Sequence, residues 1–111
     1  MAKTLGELQS FVMEQARRKG FGTSPAEVNV GEKIALIHSE ISEAYAAYRR
    51  NVFDGKDGFK EELGDAIQRL LHLCGIFGID VEEEILKKLV VNRDREWDWD
   101  ELNETHTRTE K

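Results

Sequence analysis

Apolar and polar positions keep a helical period over most of the chain. Leu5, Leu8 and Val12 recur at i, i+3 and i+7, with Phe11 beside them, which predicts a first helix. Thr4 and Glu7 form a T-x-x-E capping box at its start, and Arg17, Arg18, Lys19 and Gly20 mark its end. The stretch "GFGTSPAEVN" then reads as a loop. A second helix is expected from about residue 29 to about residue 50, on Val30, Ile34, Ile37, Ile41, Ala44, Tyr45 and Tyr48. "NVFDGKDG" breaks it with two Asp-Gly pairs. A third helix starts near Asp57 or Gly58 and carries Leu63, Ala66, Ile67, Leu70, Leu71, Cys74 and Phe77, until "FGID" stops it. Asp80 and Glu83 read as the capping pair of a fourth helix, which carries Val81, Ile85 and Leu89 to about residue 94.

Four helices on short loops, with no period-two strands, predict an all-α chain of the four-helix-bundle type. A single domain is expected over residues 1–102, with a polar, mobile tail over 103–111. At 111 residues the core is small, so self-association would help the fold. The net charge of −6, from 22 acids and 16 bases, argues against a nucleic-acid-binding module. The single cysteine, Cys74, excludes a disulfide framework and fits a reducing compartment. The first residues lack an apolar signal region and no stretch approaches a membrane span, so a cytoplasmic location is expected.

The acids change this picture. "E-I-S-E-A-Y-A-A-Y" (40–48) in the second helix matches "E-L-G-D-A-I-Q-R-L" (62–70) in the third, position by position. Each reads acid, apolar, small, acid, alanine, apolar, two spacers, apolar. At about 100° per residue the first acid sits at the edge of the apolar stripe and the second roughly 60° further out. Two such helices packed antiparallel bring Glu40, Glu43, Glu62 and Asp65 to one edge of their seam. Clustered carboxylates repel unless something positive lies among them. An all-oxygen set suits a hard divalent cation such as Mg²⁺ or Mn²⁺. Redox iron in a bundle normally uses Glu-x-x-His pairs, which this chain lacks. A single E-x-x-E pair is ordinarily a solvated face; its repetition in the same phase sets the metal reading level with that one.

These residues resemble the MazG-like nucleotide pyrophosphohydrolases of the all-α NTP pyrophosphatase superfamily. The pattern is E-x-x-E (Glu40, Glu43), then E-x-x-D (Glu62, Asp65), then K-x-x-x-N-x-x-R (Lys88, Asn92, Arg95), spread over residues 30–97. Where many members carry Glu-Glu, this chain has Ser39-Glu40. The resemblance implies Mg²⁺-dependent hydrolysis of a nucleoside triphosphate to the monophosphate and pyrophosphate, by a homodimer or homotetramer. It further implies the four acids as metal ligands, and Lys88, Asn92 and Arg95, one face of the fourth helix, as donors to phosphate. Glu43, further from the stripe, is the choice for a residue serving as both ligand and base. Two other readings stand beside this one: a non-catalytic helical oligomer that binds nucleotide or a partner on an acidic face, and a purely structural oligomerisation bundle.

Several other residues carry narrower expectations. Tyr45, Tyr48 and Phe53 are expected in the core rather than stacked on a base, Cys74 as a small buried hydrophobe, and His72 in a structural or surface role rather than near phosphate. Trp97 and Trp99 are expected to be packing anchors. Gly64, a glycine inside a helix, is expected to mark a close helix approach or access for a metal.

Overall fold

The computed structural model describes residues 4–95. They form α1 (Leu5–Lys19), a short 3-10 turn (Pro25–Glu27), α2 (Val30–Arg49), α3 (Phe59–Ile76) and α4 (Val81–Asp94). Trp97, Trp99 and the tail 103–111 lie outside the described residues.

The helix ends follow local chemistry. Thr4 Oγ1 accepts from the Glu7 amide at 3.0 Å, and Glu7 Oε1 accepts from the Thr4 amide at 3.1 Å, a complete capping box. Gly20 ends α1 in the left-handed region (φ 74°), where a side chain would be strained. Asn29 caps α2 and Asp80 caps α4, each through a side-chain oxygen on the amide three residues on. The α2–α3 turn is pinned by the Phe59 amide on the Val52 carbonyl at 2.8 Å and the Lys60 amide on the Phe53 carbonyl at 3.1 Å.

The α2–α3 pair is antiparallel. Tyr48 meets Phe59, their ring centroids 5.7 Å apart, while Glu40 meets Arg69 at 3.1 Å, so numbers fall along α2 as they rise along α3. Ala44, Ala47 and Ala66 are buried, and side chains this small let two helices lie close. α1 packs on α3, where a Cβ at Gly75 would collide with Met13 Sδ. Of the two expectations for Gly64, close helix packing is not met: a Cβ there meets nothing within 4 Å, which leaves open space at the position.

α4 packs against α1. Gln9, a buried polar side chain of α1, pins its start: Nε2 donates to the Ile79 carbonyl at 2.7 Å and Oε1 accepts from the Val81 amide at 3.3 Å.

The buried hydrophobic set is Ala16, Ala44, Ala47, Ala66, Leu71 and Ile76, and no large side chain among the described residues is fully buried. Tyr45, 61% exposed, and Tyr48 therefore correct the expectation of a core role, and Phe53 is also exposed. The helical period marks an apolar face without saying whether the same chain covers it. Cys74 is half-buried, and burial pushes its thiol pKa up. No described helix is long and apolar enough to cross a membrane.

Candidate metal centre

The antiparallel seam sets acids of α2 against acids of α3. Glu40, Glu62 and Asp65 each offer a carboxylate oxygen, and the three oxygens lie within 4.8 Å of one another. The phase of the two acid pairs explains their burial. Glu62, at the stripe edge, is only 5% exposed and Glu40 is half-buried, whereas Glu43 and Asp65, further round, are exposed.

Two oxygens of this group lack a partner. Glu40 Oε2 and Glu62 Oε2 are buried and accept no hydrogen bond from the described residues. Such groups are costly unless something satisfies them. The electrostatics agree. Glu62 is pushed up to about 7, first by a proton held against the Glu40 carboxylate, then by burial, then by Glu43. Burial, Glu40 and Glu61 raise Asp65, with Arg69 acting in the opposite direction. A proton on Glu62 is one way to relieve the repulsion; a divalent cation is the other. The donor set is all oxygen, which fits a hard cation.

Glu43 stands outside the group of three, yet is near enough to Glu62 to help raise it. The phosphate donors implied by the sequence resemblance stand elsewhere. Neither the acid group nor the cavity beside it draws a described residue from α4. Lys88 is exposed, Asn92 is half-buried with Oδ1 unpartnered, and Arg95 follows the last turn of α4. One chain thus brings three of the four acids into a tight group and keeps Lys88 and Asn92 on a helix that packs against α1.

Two neighbours of the acids were not singled out from the sequence. Arg69, one turn beyond Asp65, donates from Nε to Glu40 Oε1 at 3.1 Å and ties α3 to α2. In the sequence it occupies a spacer position of the repeat, and its only signal is the i, i+4 distance from Asp65. Lys33, in the first turn of α2, is half-buried. Both line a cavity of about 360 Å³ with Asp65, Phe21, Gln68 and His72. That volume lies toward the lower end of small-ligand sites, about 300–1,000 Å³. His72 Nε2 lies 2.9 Å from the Gly22 carbonyl, to which it must donate, so the imidazole has a structural partner. A larger, more open groove of about 590 Å³ runs between α1 and the α3–α4 turn. Its walls include Gln9 and Arg17, which are already hydrogen-bonded, and none of the clustered acids.

The described residues form an all-α fold of four packed helices with an acidic group that could hold a metal ion. Comparison with protein-family profiles, with curated proteins and with solved structures finds no match.

Proposed function

We propose that this chain is a metal-dependent nucleoside triphosphate pyrophosphohydrolase of the MazG-like kind, cleaving between the α and β phosphates. The observation that carries the proposal is the group Glu40, Glu62 and Asp65, with two buried carboxylate oxygens that accept no N–H or hydroxyl from the described residues. The order of acid pairs and the downstream K-x-x-x-N-x-x-R pattern supply the reaction class.

Glu40, Glu62 and Asp65 hold the ion in this reading, with Glu43 as an outer ligand. Mg²⁺ or Mn²⁺ held there would supply charge neutralisation for the triphosphate and a more acidic attacking water. Glu43, exposed beside Glu62, is placed to accept a proton and would serve as the base toward an attacking water. The adjoining cavity receives the substrate and Phe21 gives it an apolar wall.

The chain acts as a homodimer or homotetramer. Ile34, Ile41, Tyr45 and Tyr48 on α2, Ile67 and Leu70 on α3, and Leu86, Leu89 and Val90 on α4 are all exposed. Apolar faces this extensive are interaction surfaces in soluble proteins. Lys88, Asn92 and Arg95 then meet the phosphates of a substrate held by a neighbouring copy. The separation of α4 from the acids within one chain favours a second reading, a non-catalytic helical oligomer that binds nucleotide or a partner.

The test is to incubate the protein with standard and modified deoxynucleoside triphosphates plus Mg²⁺ or Mn²⁺ and to resolve the products. Monophosphate and pyrophosphate, lost in Glu43→Gln and Asp65→Asn, support the enzyme. Nucleotide binding without turnover under either metal supports the second reading, and release of single phosphate groups overturns the reaction class.

A further inference from the structure

We infer that Arg69 is a substrate-binding residue, fixed by Glu40 through Nε so that its two remaining guanidinium nitrogens take a phosphate group in the cavity beside the acids. The inference rests on the hydrolase reading above and names a phosphate ligand outside the α4 pattern.

The geometry starts from the Nε–Glu40 Oε1 bond of 3.1 Å. A guanidinium is planar and carries five N–H donors in a fixed fork, so one bond through Nε orients the other two nitrogens. The hydrogen bond to Glu40 engages neither of those nitrogens, the side chain is 42% exposed, and Arg69 lines the cavity. Arg69 therefore spends one donor on the acid group and keeps its fork for a second anion. Planar forks suit phosphate, which they hold through two parallel bonds.

The surroundings narrow the ligand. Lys33 supplies a second positive charge to the same cavity, and Asp65 belongs both to its wall and to the acid group. An anion bound there lies next to any cation the acids hold. His72 is occupied by the Gly22 carbonyl and does not compete for it. A phosphate group of a metal-complexed polyphosphate satisfies all of these at once, whereas an uncharged ligand leaves the fork of Arg69 unused.

The experiment uses the full chain and an α,β-methylene nucleoside triphosphate analogue, titrated calorimetrically in the presence of Mg²⁺. Mn²⁺ affinity without nucleotide and thermal melting are measured beside it. Charged hydrogen bonds of this kind predict a loss of analogue affinity of about 10- to 100-fold in Arg69→Gln. Arg69→Lys, which keeps the charge without the fork, recovers part of it, and Lys33→Ala shows a smaller loss. Unchanged analogue affinity in Arg69→Gln overturns the inference. A loss that merely follows an equal loss of Mn²⁺ affinity also overturns it, because Arg69 is then only a clamp on Glu40. Native protein that binds neither Mn²⁺ nor the analogue overturns the hydrolase reading as well.

Discussion

The α2–α3 seam and α4 depart from ordinary burial in opposite directions. The seam buries a carboxylate, Glu62, and leaves two acid oxygens without donors among the described residues. α4 has no buried residue and turns Ile85, Leu86, Leu89, Val90 and Val91 outward. Buried acids need compensating charge, and exposed apolar faces need cover. The first is an electrostatic demand that a small cation meets. The second is a hydrophobic demand that a covering apolar surface meets. The proposed metal chemistry draws on the first region and the proposed assembly on the second, the acids lying on helices of 20 and 18 residues and the apolar face on one of 14.

The largest expected effect comes from the seam. Glu62→Gln keeps the shape of the side chain and removes its charge, so metal-dependent turnover should fall on the order of a thousandfold, as when one charge-stabilising group is lost. Circular dichroism should show the helices intact. A variant that keeps full turnover would dissolve the contrast, because the buried acid would then have no chemical role.

The assembly side is tested next. Burying a leucine contributes about 1.5–3 kcal/mol. Leu86→Glu combined with Leu89→Glu, both residues being more than half exposed, should weaken self-association at least about a hundredfold. Sedimentation should then shift from a multiple of 12.7 kDa to the single chain. A native chain that sediments as a monomer at micromolar concentration contradicts the assembly claim outright.

A smaller effect is expected where the two regions are joined. Gln9→Ala leaves the Ile79 carbonyl and the Val81 amide without their partner, at a cost of about 1–3 kcal/mol in denaturant unfolding. The loss should loosen α4 while the acid group keeps its metal affinity. Equal loss in both would mean that the regions are not separate.

The mildest test is pH. Glu62 sits at about 7 in the folded chain against an ordinary value of 4.5, so between these the folded state binds more protons than the unfolded one. Stability therefore falls as pH rises through that window and levels off above it. With a chelator present, the melting temperature should decline from about pH 4.5 to about pH 7 by an amount that Glu62→Gln removes. Adding Mg²⁺ above pH 7 should restore stability to the native chain. A flat native profile would show that Glu62 is not held among like charges.

Much of the fold was legible because helix ends carry local signals. Thr4 with Glu7, Gly20, the Asp-Gly pairs and Asp80 each act within one turn of their own position, so their effect is readable without the rest of the chain. The phase of the acid pairs was legible for a similar reason, since a fixed rotation per residue puts Glu40 and Glu62 nearer the seam than Glu43 and Asp65. What failed depended on tertiary placement. Tyr45 and Tyr48 lie on an apolar face, but the pattern does not tell whether the same chain covers it. Gly64 has the composition of a close contact without the neighbour. Arg69 looked like a spacer because its partner, Glu40, lies on another helix 29 positions away. Gln9 was hidden likewise, its partners standing 70 and 72 positions on.

The central claim is that α2 and α3, and not α4, hold a divalent cation. Paramagnetic broadening of backbone amide resonances by substoichiometric Mn²⁺ tests it directly. The account predicts loss of the signals around Glu40 and from Glu62 to Asp65, while the acid-rich first turn of α4, Glu82 to Glu84, keeps its intensity. Broadening centred on Glu82–Glu84, or spread evenly over the exposed acids, would contradict it.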